Sequence, residues 1–185
     1  MPDNSKTITF GVIADTHIPD RAKHLPSMVL RTFERAQVNQ ILHAGDAANW
    51  EVIHKLEEIA PVIVVQGNRD WLFGMSFPLH VNLTINSVRI TLTHGHRSML
   101  QYLYDKWSYI RIGYRFERYY RHLSADYPNS DVIIFGHTHY QTATWVNGQL
   151  FLNPGAAYPC RHNHNQPQFG ILSITPGGII RTECY

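Results

Sequence analysis

Asp15 and His17 stand two apart, as do His137 and His139. Side chains at i and i+2 of an extended segment point the same way, so each pair can reach one ion. Asp46, His94, His96 and the run Asn68-Arg69-Asp70 add carboxylates, imidazoles, an amide and a guanidinium. Oxygen and imidazole donors without a thiolate suit Mn, Zn, Fe or Ni rather than Ca or an iron–sulfur cluster. The ligands are too many for one tetrahedral ion that keeps an open position, and two ions sharing a carboxylate fit better.

Each of these residues follows a short apolar run. Thr7–Ala14 stops at Asp15-Thr16-His17, Gln40–Ala44 at Gly45-Asp46, and Pro61–Gln66 at Gly67-Asn68-Arg69-Asp70. Val88–Thr93 stops at His94-Gly95-His96, and Asp131–Phe135 at Gly136-His137-Thr138-His139. β-Branched runs bounded by turn residues read as buried strands. In open α/β folds, ligands collect beyond the carboxyl ends of such strands. One strand ending in Asp or His is commonplace; five in one small chain read as one site. Gly45, Gly67, Gly95 and Gly136 let the backbone bend there and lie close to an ion or substrate.

The motifs D-x-H, G-D, G-N-x-D, H-G-H and G-H-T-H, in this order, resemble those of the calcineurin-like metallophosphoesterases. With N-P-G at Asn153–Gly155, the chain is most similar to the small phosphodiesterase branch that also contains the retromer subunit Vps29. The resemblance covers Thr7 to about Ile174. It implies an α/β fold, a four-layer αββα sandwich of two packed mixed sheets flanked by helices. It implies two divalent ions, Mn foremost, with Ni, Fe, Zn and Mg as alternatives. The first would be held by Asp15, His17, Asp46 and His139, the second by Asp46, Asn68, His94 and His137, with Asp46 bridging. The implied reaction is in-line attack of a metal-bridging hydroxide on a phosphate ester, most simply a diester.

One departure concerns the residue after Asn68. Many relatives carry a His that assists the leaving group; here it is Arg69, which stays protonated but can grip two phosphate oxygens. By sequence, His96 is the nearest candidate to supply a proton, and its alternative is a hydrogen bond that orients His94 or a carboxylate. The expected catalytic group is thus Asn68, Arg69 and His96, with Asp70 as a loop anchor. Gly67–Asp70 followed by Trp71-Leu72-Phe73-Gly74 also resembles the UDP-diacylglucosamine pyrophosphohydrolases of lipid A synthesis, which carry longer insertions than this chain provides. A further alternative is a protein-binding scaffold of the Vps29 type. All seven ligand positions carry the residue type catalysis requires, which favours the enzyme.

At 185 residues and 44% hydrophobic, the chain has the length of one domain, 1–185. It opens Met-Pro-Asp-Asn-Ser, without a basic or apolar leader pattern, and no apolar stretch reaches membrane-spanning length. Two cysteines, Cys160 and Cys184, make no disulfide framework, so a cytoplasmic location is expected. A net charge of +2 does not by itself argue for nucleic acid, and nucleotide or nucleic-acid substrates stay open. Of twelve histidines, His43 reads as a core residue, and His24, His54, His80 and His122 as surface positions. His162 and His164 with Cys160 read either as a third metal site or as a polar loop beside the cleft.

Helices are expected over Pro26–Gln37, with Met28, Val29, Phe33 and Ala36 at helical spacing, and over Trp50–Ile59, capped by Asn49 and ended by Pro61. Hairpins are expected around Asn86-Ser87, Asn147-Gly148 and Pro176-Gly177-Gly178. The segment 97–126 reads as helical, broken near Gly113, basic and rich in Tyr and Trp. It could pack on the sheet, cap the cleft or form a homodimer surface.

Overall fold

The computed structural model describes residues 6–96, 107, 111 and 113–185. Two five-stranded sheets pack face to face. In the first, β1 (Ile8–Ile13), β2 (Gln40–His43) and β3 (Val62–Val64) run parallel, and β9 (Gly170–Ile174) runs antiparallel to its neighbours β1 and β10 (Ile180–Cys184), in the order β10-β9-β1-β2-β3. In the second, β4 (His80–Ile85), β5 (Val88–Thr93), β6 (Val132–Ile134), β7 (Thr142–Val146) and β8 (Gln149–Asn153) lie in the order β4-β5-β6-β8-β7, with β5, β6 and β8 parallel.

The period-two alternation of these strands builds the layers. Phe10, Val12, Leu42, Ile90, Leu92, Val132, Ile134, Leu150 and Leu152 face the gap between the sheets and form its core. The opposite faces take helices. Ile13, Ile41 and Ile171 meet Val29 and Phe33 of α1 (Ser27–Arg35) and Val52 and Leu56 of α2 (Trp50–Glu57). Ile133, Phe135 and Phe151 meet Leu123, Phe116, Tyr119 and Tyr120 of α3 (Phe116–Asp126). Burying each such side chain contributes about 1.5–3 kcal/mol. This is the four-layer αββα sandwich expected from the sequence.

The local expectations fare unevenly. Asn49 caps α2, its side chain accepting from the Glu51 N–H at 2.9 Å. All three hairpins form at the expected turns. Pro26 stands one position before α1 rather than in its first turn, and Met28 is exposed at 44%. The buried stripe of α1 is carried by Val29 and Phe33, with Leu30 partly covered. Of the aromatic segment, residues 97–106, 108–110 and 112 lie outside the described residues. Among the described ones, the α3 aromatics pack on the sheet. No helix among the described residues is long and apolar enough to cross a membrane.

Candidate metal centre

The parallel strands β1, β2, β3, β5 and β6 deliver their following loops to one place. His17 Nε2 lies 3.3 Å from His139 Nε2, and Asp15 Oδ1 lies 3.7 and 3.4 Å from these two atoms. Asp46 Oδ2 lies 3.7 Å from His17 Nε2 and 3.6 Å from His94 Nε2, so one oxygen faces both halves of the cluster. Asn68 Oδ1 is 3.1 Å from His94 Nε2 and 3.0 Å from His137 Nδ1. The expected ligands Asp15, His17, Asp46, Asn68, His94, His137 and His139 are therefore all brought together. Asp15, His17 and His139 form one group able to hold an ion, and Asp15, Asp46 and His94 another, their donor atoms lying within 4.8 Å of one another. Asp15 thus stands near both groups, beyond the single role expected for it.

The donor set fits divalent cations. Ligands about 2.1 Å from a common ion, at ordinary tetrahedral or octahedral angles, stand about 3.0–3.4 Å apart, close to the spacings here. Asp15 Oδ1 is buried without a well-formed hydrogen bond, aimed at two imidazole nitrogens. His94 donates from Nδ1 to the Ala44 carbonyl at 2.7 Å, which leaves Nε2 as a lone-pair donor facing the cluster.

Surrounding residues hold this geometry. Asp70 is fully buried and accepts from the N–H groups of Asp46 (3.0 Å), Ala48 (2.8 Å) and Gly67 (2.8 Å), tying two ligand loops together. It is the loop anchor. A Cβ on Gly67 would stand 2.1 Å from Asp46 Oδ1, so only glycine permits this approach. The Arg69 N–H donates to Asp46 Oδ1 at 2.7 Å, leaving Oδ2 to face the histidines. Asn153, from the N-P-G motif, donates to the Gly136 carbonyl and to Thr138 Oγ1 and fixes the G-H-T-H loop. The His137 N–H donates to Asp15 Oδ2 at 3.0 Å and joins that loop to β1.

The cluster is electrostatically divided. Burial opposes charge on His139, but the Asp15 carboxylate outweighs it and lifts the pKa to about 9. Burial pushes His17 and His137 down to about 3, and Asp46 up to about 6. Burial also disfavours the Asp15 carboxylate, yet His139 and the other imidazoles hold it below the usual range. A proton on His139 thus supplies, beside the Asp15 carboxylate, positive charge of the kind a bound cation would bring.

His96 packs its ring 5.2 Å from His94 and 6.2 Å from His137, and burial lowers its pKa to about 4. Arg69 is ion-paired with Asp20, at the rim. His43 is fully buried, its Nδ1 bonded to the Gly45 N–H at 3.2 Å, a core residue as expected. His24, His54, His80 and His122 are exposed. Cys160, His162 and His164 form no metal-holding group among the described residues. Cys160 instead lies beside His139 and helps raise its pKa. Sequence reading missed the rim residues Asp20, Arg21 and Tyr158; the only signal was a charged pair directly after Asp15-Thr16-His17-Ile18-Pro19. Trp71 and Leu72 follow the ligand loop in a 3-10 turn and are exposed.

The profile of the calcineurin-like phosphoesterase superfamily domain matches residues 8–177. A probable metallophosphoesterase of Methanothermobacter thermautotrophicus is 36% identical over 93% of this chain and 91% of its own length. A phosphodiesterase of Methanocaldococcus jannaschii is 26% identical over 88% of this chain and 90% of its own. Vacuolar protein sorting 29 from Cryptosporidium parvum, 22% identical, shares the fold with a TM-score of 0.68 over 97% of both chains. The chain therefore belongs to the calcineurin-like phosphoesterase superfamily, a family of metal-dependent phosphoester hydrolases.

Proposed function

We propose that the chain is a binuclear-metal phosphodiesterase. The supporting observation is Asp46, whose Oδ2 faces His17 on one side and His94 on the other. One carboxylate oxygen between two donor groups is what a pair of ions sharing a ligand requires. Asp15, His17, Asp46 and His139 would hold one ion, and Asp46, Asn68, His94 and His137 the other. Bound there, two divalent ions supply Lewis-acid charge to a phosphoryl group and acidify a water to a near-neutral pKa.

The chain's own residues do the rest. Asp70 and Asn153 keep the ligand loops in register. Arg69 stands at the rim with a planar fork of donors suited to two phosphate oxygens. His96 is neutral at pH 7, which suits packing against His94 and His137 better than delivery of a proton. Without a titrating acid in that position, good leaving groups are favoured over poor ones.

The test is a panel of p-nitrophenyl phosphate mono- and diesters and cyclic nucleotides, assayed on chelated protein reloaded with Mn, Ni, Mg or Zn. Diester hydrolysis that returns with metal supports the reading. A folded, metal-loaded protein inert toward the whole panel would instead support a second reading, a protein-binding scaffold, which the fold likeness to Vps29 favours.

A further inference from the structure

The rim carries an ion-pair cluster that the proposed ligand set does not use. Asp20, three residues after His17, pairs with the Arg69 guanidinium, and Arg21 Nε lies 3.8 Å from the same carboxylate. Arg21 Nη1 donates to Tyr158 Oη at 2.6 Å, and Tyr158 Oη lies 3.3 Å from His139 Nδ1. The cluster therefore runs from solvent into the donor set. The Asp20 and Arg69 side chains keep about a third of their surface open, 30% and 28%. A phosphate ester entering along this rim would meet two guanidiniums and one carboxylate, a local charge of +1 (two positive, one negative).

That balance distinguishes substrate classes. A phosphodiester carries one negative charge, whereas a monoester approaches two above its second pKa of about 6. We propose that Asp20 is a specificity-determining residue, whose carboxylate neutralises one rim guanidinium and so selects monoanionic diesters over dianionic monoesters. The inference rests on the phosphodiesterase reading and adds a determinant to it. Asp20 competes with the phosphoryl group for Arg69, and the competition disfavours the ligand with the greater charge. A carboxylate that only fixed the loop would act on both ligands alike.

The test compares wild type, Asp20→Asn and Asp20→Glu in the metal-loaded protein at about pH 8, where the monoester is doubly charged. Two quantities are read: kcat/KM for p-nitrophenyl phosphate against bis(p-nitrophenyl) phosphate, and calorimetric affinity for inorganic phosphate against dimethyl phosphate. Asp20→Asn should raise both monoester-type ratios about three- to ten-fold, the scale of one unit charge near a protein surface. Asp20→Glu should leave both ratios within about two-fold of wild type, the charge being kept. Arg21→Gln, which removes an opposite charge, should move them the other way. Should the wild type hydrolyse no diester, the functional reading fails, and the binding ratio alone still decides the role of Asp20. Unchanged ratios, or a parallel fall for both ligands, would overturn the proposal.

Discussion

The two kinds of loop at the strand ends share a backbone conformation and differ in what allows it. At the hairpins, Asn86 (φ 47°), Ser87 (67°), Asn147 (49°) and Gly148 (81°) are left-handed because a two-residue turn between twisted strands demands it. At the metal end, Asp15 (51°), His17 (48°), Asp46 (57°), Ala48 (62°), His137 (67°) and His139 (60°) are left-handed with no such turn. A non-glycine residue held this way costs about 1–3 kcal/mol. The hairpins are held mainly by their own ladders, Asn86 adding bonds to the Lys6 and Ile174 carbonyls, whereas the candidate metal end is held by side chains reaching across it: Asp70, Asn153 and the Asp15 carboxylate. One end owes its shape largely to local turn propensity. The other is a strained arrangement fixed from outside, as expected where ligand geometry overrides local preference.

The sharpest way to break this contrast is Asp46→Asn. Activity should fall by more than about a hundred-fold, since even residues that only support metal ligands cost that much. The metal-free protein should become more stable. Asp46 titrates near 6 in the fold against 3.8 unfolded, so its ionised form at pH 8 destabilises the fold, by about 1–3 kcal/mol. Urea melts of chelated protein check this; an Asp46→Asn variant less stable than wild type would mean that the carboxylate is structural rather than functional.

Asp70→Asn should act in the opposite sense. It leaves one oxygen and an NH2 group where a carboxylate received three N–H donors, and should cost about 2–4 kcal/mol with or without metal. The same melts report it. A loss below about 1 kcal/mol would show that the ligand loops hold their shape unaided.

A pH series isolates the Asp15–His139 pair. The His139 pKa is raised from 6.5 to about 9, so its contribution is fully present below about pH 6.5 and is lost as pH rises through 9. Chelated protein should therefore lose on the order of 2–3 kcal/mol between pH 7 and 9.5. Metal-loaded protein should lose less, because an ion replaces the proton. Parallel profiles would place the alkaline loss elsewhere.

The smallest effect is expected at Ala48, left-handed and buried beside the Asp70 clamp. Glycine elsewhere destabilises by widening the unfolded ensemble. Here relief of the left-handed strain, about 1–2 kcal/mol, should outweigh it, and Ala48→Gly should be neutral or stabilising by up to about 1 kcal/mol. Calorimetric melting decides it.

What the sequence made legible follows the same division. Asn147-Gly148 announces its hairpin because the turn depends on two adjacent residues. The candidate ligand loops stood out because each ends a β-branched run and repeats a known motif. Asp70 was legible as a loop anchor, but its partners Asp46 and Ala48, more than twenty residues away, were not, nor was Tyr158 meeting Arg21 across 137. Nor was the exposure of Met28, because helical spacing alone does not separate a residue on the stripe from one beside it.

The central claim is that Asp46 joins two ions, and counting ions tests it most directly. Chelated protein dialysed to equilibrium against Mn and analysed for metal should hold two ions per chain, and the Asp46→Asn variant should hold fewer, with diester hydrolysis falling in step. A wild type that saturates at one ion or none, yet hydrolyses diesters, would contradict the account.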